Sequence, residues 1–140
     1  MNRLKDYLAD SNCCGVVRSA SGEIVMFRRR GVIDLFELST ENPAFLRGAT
    51  AADKVVGRGA ALLFVRGGID SLYAGVISSG ALEVLCLGNV RVEYGTLVPH
   101  IINRAGTGIC PVERLTSSTD SPEEAYLLIK HFIENQKQQK

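Results

Sequence analysis

The fold of this chain is decided by its most apolar segment, Asp53-Lys54-Val55-Val56-Gly57-Arg58-Gly59-Ala60-Ala61-Leu62-Leu63-Phe64-Val65. Charges open this segment, and most of its other residues are apolar or glycine. A helix that is apolar on all sides belongs in the middle of a domain. We therefore predict a central helix over residues 50–65, whose first turn carries Asp53 and Lys54 and opens onto a pocket.

Shorter elements precede this segment. The turn residues Ser19-Ala20-Ser21-Gly22 separate two apolar runs and predict a β-hairpin with strands at 16–18 and 24–27. A short helix is predicted before the hairpin at 4–9, and a helical turn or two after it at 32–38.

After the central segment, the pattern predicts a strand at 71–77, a helix at 81–87 and a strand at 90–94. A last helix begins at Ser121-Pro122-Glu123-Glu124, which supplies a cap, a proline in the first turn and a capping-box glutamate. This order of elements fits a three-layer α/β/α sandwich around one mixed sheet. No linker or repeat divides the sequence, so we predict that residues 1–140 form a single domain.

Composition excludes several classes of protein. The chain has 140 residues, 46% of them hydrophobic, and a net charge of +1, which gives no basis for bulk nucleic-acid binding or attachment to an acidic membrane. The longest apolar run, 60–65, is too short to cross a bilayer, and the first residues lack a signal-peptide core. The four cysteines lack a disulfide-framework spacing, which favours reduced thiols and a cytoplasmic location.

Two interpretations stay open for the charged pair. In the first, Thr50 caps the helix, and Asp53 stands three residues on because the helix dipole favours an acidic residue there. In the second, Asp53 is an acid/base or a ligand acceptor, and Lys54 binds an anionic or carbonyl group. Gly57 and Gly59 are predicted to permit close packing of the helix on the sheet. They do not form a phosphate loop, because the Walker spacing and the strand-to-helix glycine fingerprint are both missing.

A second polar segment, residues 103–113, has the composition of an irregular binding loop. Its backbone N–H groups can cradle an anion, and Arg104 can pair with a carboxylate or phosphate. We expect Asn103, Arg104, Thr107 and Gly108 to bind ligand. The alternative is a tight turn in which Asn103 and Arg104 satisfy local carbonyls.

Cys110 is the candidate nucleophile, because a thiolate near Lys54 or Arg104 would have a lowered pKa. The alternative is that Cys110 is a small buried residue. The other cysteines, Cys13, Cys14 and Cys86, lie in or beside apolar segments and are predicted to belong to the core.

The chain resembles an uncharacterised prokaryotic domain family with a cytidine deaminase-like fold. The similarity covers most of the chain except its ends, in the stretches Ala52-Asp53-Lys54-Val55-Val56-Gly57, Ala60-Ala61-Leu62-Leu63-Phe64, Val90-Arg91-Val92-Glu93-Tyr94 and Leu97-Val98-Pro99 through Cys110-Pro111-Val112-Glu113. In that fold, the helix after the hairpin begins with His-x-Glu or Cys-x-Glu, and the next helix begins with Pro-Cys-x-x-Cys.

The resemblance implies that the corresponding helix starts here are Ala52-Asp53-Lys54 and Ser78-Ser79-Gly80-Ala81, and both lack zinc ligands. The chain also has no Cys-x-x-Cys or His-x-x-x-His pair. We therefore expect no metal and no cofactor. The implied pocket lies between two helix N-termini, which favour anions, and is lined by Asp53, Lys54, Ser78 and Ser79.

Two classes of function stay open. The first is a zinc-independent protein that binds a small polar or nucleotide-like ligand, with hydrolase- or transferase-type chemistry if it is an enzyme. Asp53 would then be the acid/base, Lys54 the charge stabiliser and Cys110 the nucleophile. The alternative is a non-catalytic interaction or regulatory module that acts through oligomerisation, as a homo- or hetero-oligomer formed by an exposed apolar patch. A divergent metal-dependent hydrolase is a third option.

Overall fold

The computed structural model of the chain describes residues 2–29, 31–102, 106 and 108–138. In chain order its elements are α1 (Asn2–Tyr7), β1 (Gly15–Arg18), β2 (Ile24–Phe27), α2 (Ile33–Glu41), a 3₁₀ turn (Pro43–Phe45), β3 (Thr50–Val56), α3 (Arg58–Gly67), β4 (Ser71–Ser78), α4 (Ser79–Leu87), β5 (Arg91–Val98), α5 (Pro111–Leu115) and α6 (Pro122–Gln138). Within these described ranges, no helix combines the length and the apolar character needed to cross a membrane.

The strands form one five-stranded sheet in the order β2-β1-β3-β4-β5. Strand β1 is antiparallel to both of its neighbours, whereas β3, β4 and β5 are parallel. The predicted hairpin and the predicted α/β class with a mixed sheet are confirmed. Parallel strands need crossover connections, and α3 and α4 supply them.

The predicted helix over residues 50–65 is wrong in its first half. Residues Thr50–Val56 form β3, which pairs with β1 and β4, and α3 begins only at Arg58. Three of the seven residues of β3 are β-branched, which favours a strand, and Gly57 separates the strand from the helix. The predicted burial on all sides applies to α3, where residues 58–64 are all buried. Asp53 and Lys54 therefore lie on a strand.

Helices cover both faces of the sheet. The larger core lies between the sheet and helices α2, α3, α4 and α6. On the opposite face, Leu4 of α1 packs against Val16 and Ala52 in a smaller cluster. Val16 and its neighbour Val17 belong to different clusters, as the alternation of side chains along a strand requires.

This alternation shifts in the middle of β3 and of β4. Ala51 and Val56 both lie in the larger core although they are five residues apart, and so do Leu72 and Ile77. Strict alternation would place such residues on opposite faces. At the shift β3 and β4 approach each other closely. A Cβ added to Gly75 would lie only 2.7 Å from the carbonyl oxygen of Lys54.

Candidate functional site

A cavity of about 540 Å³ lies between the carboxyl end of β3, the start of α3 and the segment that follows β5. Its wall is largely apolar, with polar groups at a few positions. The described residues that line it are Ser11, Cys14, Phe27, Arg29, Gly31, Val32, Asp53, Lys54, Val55, Gly57, Gly59, Ala60, Ile101, Ile102, Cys110, Pro111, Val112 and Glu113.

Asp53 brings a perturbed carboxyl group to this cavity. Its Oδ1 accepts a hydrogen bond from the backbone N–H of Val55 at 3.2 Å, and its Oδ2 lies 3.1 Å from the position of a Cβ on Gly15. Burial raises the pKa of Asp53 to about 7, against the opposing effect of the N–H groups of Val55 and Lys54. A carboxyl group with such a pKa can both take and give a proton near neutral pH.

Lys54 lines the same cavity, but its ammonium group is engaged elsewhere. Its Nζ donates to the backbone carbonyl of Asp10 at 3.0 Å, and its backbone N–H donates to the carbonyl of Cys14 at 2.9 Å. Lys54 therefore ties the connector between α1 and β1 to β3. An acceptor in the cavity would have to compete with the Asp10 carbonyl for this ammonium group.

Two cysteines border the cavity. Cys110 immediately precedes α5, and its backbone N–H donates to the carbonyl of Ile101 at 2.8 Å. Cys14, predicted to be a core residue, is only half-buried and donates its thiol hydrogen to the carbonyl of Arg28 at 3.5 Å. The core prediction is confirmed for Cys13 and wrong for Cys86, which is exposed because α4 turns Val84 and Leu85 inward instead.

Glu113 is the residue of this site that sequence reasoning missed. It is 5% exposed and accepts hydrogen bonds from the backbone N–H of Arg58 at 2.8 Å, from Ser78 Oγ at 2.6 Å and from the backbone N–H of Ile101. One carboxylate thus joins α5 to the start of α3, the end of β4 and the segment after β5. Pro111 favours a helix start just before Glu113, a signal that the prediction of an irregular loop did not use, and nothing local signals the burial of Glu113.

Arg58 fastens the next part of the same segment. Its Nε donates to the carbonyl of Thr116 at 2.9 Å, and its Nη2 donates to the carbonyl of Thr119 at 2.7 Å and to the carboxylate of Asp120. Its Nη1 reaches the carbonyl of Gly80 at 3.3 Å. The arginine that begins α3 is therefore a buried anchor for the chain after α5.

The two predicted serines lie outside the cavity. Ser78 is fully buried and caps α4, because its Oγ accepts from the N–H of Ala81 at 3.2 Å, and it meets the cavity wall only through Glu113. Ser79 is exposed and donates to the carbonyl of Val98 at 3.3 Å. The prediction that the pocket lies between two helix starts, at 53 and 78, is therefore wrong. Asp53 lies on a strand, and Ser78 and Ser79 do not line the cavity.

Of the other predicted ligand-binding residues, Asn103, Arg104 and Thr107 lie outside the described residues. Gly108 is half-buried, and a Cβ added to it would have no neighbour within 4 Å. The flanks of this segment, rather than Gly108, contribute to the lining, through 101–102 and 110–113. The stretch expected to be irregular includes the start of α5.

The two glycines predicted to pack against the sheet instead contact the chain after β5. A Cβ on Gly59 would lie 2.5 Å from Val112 Cγ1, so only glycine lets α5 approach α3 this closely. A Cβ on Gly57 would lie 3.2 Å from Ile101.

In the part of the chain that the structure describes, no cluster of three His, Cys, Asp or Glu residues could hold a metal ion.

Comparison with known proteins places this architecture in one family. The family model TM1506, a domain of unknown function (DUF1893), matches residues 3–133. A crystal structure of a DUF1893 family protein from Thermotoga maritima has a similar fold, with a TM-score of 0.81 and 24% sequence identity over 93% of this chain and 86% of that chain. No curated protein matches the chain.

Proposed function

The chain belongs to the DUF1893 domain family, and we propose that it binds a small polar or nucleotide-like ligand in the cavity beside Asp53, without zinc. One observation carries the proposal. A carboxyl group whose pKa is raised to about 7 borders a mostly apolar cavity of about 540 Å³. A concave apolar site with few polar groups and a perturbed carboxyl has the usual properties of a small-molecule site.

The proposal includes a cytidine deaminase-like fold. In deaminases the zinc ligands begin the helix after the hairpin and the helix after that. Those helices are α2 and α3 here, and not the segments that begin at Ala52 and Ser78. Gly31 and Val32 precede α2, Gly57 precedes α3, and all three line the cavity. The starts of α2 and α3 thus both lie at the cavity, and this supports the proposed cytidine deaminase-like fold.

Absence of zinc is the second part of the proposal. The residues around the start of α2 are Gly31-Val32-Ile33-Asp34, and those around the start of α3 are Val56-Gly57-Arg58-Gly59. Neither stretch contains the histidine or cysteine ligands that zinc-dependent deamination requires. The first turn of α3 instead contacts Glu113, which accepts the backbone N–H of Arg58.

If the protein is an enzyme, we assign the proton transfer to Asp53, because burial leaves its pKa close to neutral pH. Lys54 stabilises developing negative charge once its ammonium leaves the Asp10 carbonyl, and Cys110 is the nucleophile of a hydrolase- or transferase-type reaction. Glu113 is excluded from proton transfer, because its carboxylate already accepts hydrogen bonds from Arg58, Ser78 and Ile101.

A thermal-shift screen with nucleosides, nucleotides and small carboxylates tests the binding site. Compounds that bind should raise the melting temperature of the wild type and of Asp70→Asn, whose exposed aspartate serves as the control. They should have little effect on Asp53→Asn, which keeps the shape of the side chain and loses its charge and proton. Equal responses in all three proteins would remove the cavity as the binding site.

Catalysis is tested separately with a compound that binds. Turnover by the wild type that depends on a group with a pKa near 7, and that is lost in Cys110→Ser while binding persists, supports the assigned roles of Asp53 and Cys110. Turnover that survives in Asp53→Asn with an unchanged pH profile would exclude Asp53 as the acid/base.

A further inference from the structure

The strand β5 is an exposed edge of the sheet. It pairs with β4 on one side, and in the described part of the chain no strand pairs with its other side. Six of its eight residues are exposed, including Tyr94 at 43% and Leu97 at 45%. None of its residues lines the cavity, so this surface is separate from the proposed ligand site.

This edge carries only some of the features that keep edge strands apart. Natural edges are protected by charged side chains, especially lysine, by proline and by β-bulges. The strand Arg-Val-Glu-Tyr-Gly-Thr-Leu-Val contains no lysine or proline, and its two charges, on Arg91 and Glu93, cancel. Glu93 is also paired with Lys5 of α1 at 2.8 Å. The strand is therefore neutral and rich in residues that favour strand pairing.

The shift of side-chain alternation extends into β5. Val92 is in register with Leu72, and Leu97 is in register with Ile77. Because Leu72 and Ile77 both face the larger core, Val92 and Leu97 face the same side of the sheet although they are five residues apart. The shift falls at Gly95, where an added Cβ would lie 2.9 Å from the carbonyl oxygen of Gly75.

We propose that β5 pairs antiparallel with β5 of a second copy of this chain, about a two-fold axis between Tyr94 and Gly95. This register sets Val92 opposite Leu97 and Tyr94 opposite Gly95, and each pair occurs twice. All eight residues of the strand take part, and the two sheets become one sheet of ten strands. An aromatic side chain opposite an edge glycine is a stabilising arrangement.

The shift at Gly95 makes this register self-consistent. Residues opposite one another in an antiparallel pair share a face of the sheet. In a strand with strict alternation, an axis between two consecutive residues would set each inward residue opposite an outward one. Because the alternation shifts at Gly95, Val92 meets Leu97 on the face of the larger core, and Glu93 meets Thr96 on the face that α1 covers.

The charges of the strand also fit pairing with a second copy. In this register Arg91 lies opposite Val98, and Glu93 lies opposite Thr96, so no like charges face each other. Like charges directly opposite would oppose the pairing. A contact between identical surfaces of this kind closes as a dimer and does not extend into a fibre.

Sedimentation velocity over a wide range of protein concentrations tests the dimer. The wild type should dimerise, and Tyr94→Lys should raise the dimer dissociation constant by at least about a hundredfold, because two lysines would meet at the two-fold axis. The matched control is Leu127→Lys, which places the same charge at a position of α6 that is 54% exposed and should leave the constant unchanged.

Two further measurements keep the test decisive. Leu97→Lys should weaken the dimer in the same way and replaces Tyr94→Lys if that variant does not fold by circular dichroism. Amide hydrogen exchange of the wild type should slow in β5 as protein concentration rises. A wild type that stays monomeric would overturn the proposal. So would a dimer whose dissociation constant is unchanged by the lysine substitutions and whose amide exchange in β5 does not change with protein concentration.

Discussion

The backbone N–H of Arg58 donates to the Glu113 carboxylate at 2.8 Å, so the first turn of α3 is closed by a residue 55 positions later in the chain. The first N–H groups of a helix lack partners within the helix and favour an anion. Gly57, which precedes α3, has no side chain to supply one. Glu113 therefore serves as the cap, and its helix α5 becomes part of the cavity wall.

Arg58 completes this connection through its side chain. The side chain of Arg58 is 10% exposed, and its guanidinium donates to the carbonyls of Thr116 and Thr119 after α5. Two residues thus hold the cavity wall that carries Cys110. Glu113 binds the chain before α5 through Ile101, and Arg58 binds the chain after α5 through Thr116 and Thr119. If this connection were broken, both the stability of the fold and the shape of the cavity should change.

Glu113→Gln tests the cap. The amide keeps the size of the side chain, but it has one acceptor oxygen for three donors and loses the negative charge. We expect the free energy of unfolding, measured by urea denaturation, to fall by about 2 kcal/mol, within the usual cost of an unsatisfied buried group. Glu124→Gln, at an exposed position of α6, is the control and should change it little. Equal stabilities would contradict the role of Glu113 as a cap.

Arg58→Lys tests the anchor. Lysine keeps the positive charge but cannot present the planar set of donors that reaches Thr116, Thr119 and Gly80. Several buried carbonyls lose partners, so we expect a loss of about 3 kcal/mol or more in unfolding free energy. Arg47→Lys, at an exposed position, should be close to neutral. If the two substitutions had the same effect, the buried contacts of Arg58 would contribute little.

The pH dependence of stability tests the environment of Asp53. Its pKa is about 7 in the folded protein and 3.8 in a model compound, so between these values the folded state holds a proton that the unfolded state has released. Stability should therefore fall as pH rises through this window and level off above it. Each pKa unit corresponds to about 1.4 kcal/mol, which sets an upper limit on the order of 4 kcal/mol.

Asp53→Asn should remove this part of the pH dependence, because asparagine does not titrate and can still accept the N–H of Val55. Urea denaturation of both proteins at several pH values between about 4 and 8 provides the measurement. The variant should be more stable than the wild type at the upper end of the range. Parallel stability curves for the two proteins would show that the Asp53 pKa is not raised.

Local sequence signals predicted part of this fold correctly. The hairpin turn at 19–22 and the start of α6 depend on nearby residues, and the Ser121 hydroxyl accepts from the N–H of Glu124 at 3.2 Å as the capping pattern requires. The mixed sheet followed from the order of elements. Asp53 and Lys54 line a cavity, but they lie on a strand and not in the first turn of a helix.

The errors arose where distant contacts decide the structure. β3 is a strand because β1 and β4 pair with it on both sides, and an apolar stretch of this length fits a buried helix equally well by periodicity. The burial of Glu113 depends on α5 meeting α3, which no local pattern encodes. Ser78 carried a helix-start signal that was correct, but its hydroxyl points to Glu113 and not to the cavity.

Gly75→Ala tests the close approach of β3 and β4 beside the cavity. The new Cβ would lie 2.7 Å from the carbonyl oxygen of Lys54, and this atom can move only if the backbone of β3 moves with it. We expect a loss of about 2 kcal/mol or more in unfolding free energy, because overpacking against rigid atoms is costly. Backbone movement at Lys54 should also displace Asp53 and so change the pH dependence described above.

Gly108→Ala is the matched control for this substitution. Its Cβ would have no neighbour within 4 Å, and its φ lies outside the left-handed region, so alanine should fit without strain. Urea denaturation of the two variants should therefore separate them by at least about 1 kcal/mol. A Gly75→Ala protein as stable as Gly108→Ala would show that β3 and β4 can separate at Lys54, and that glycine is not needed there to hold Asp53 at the cavity.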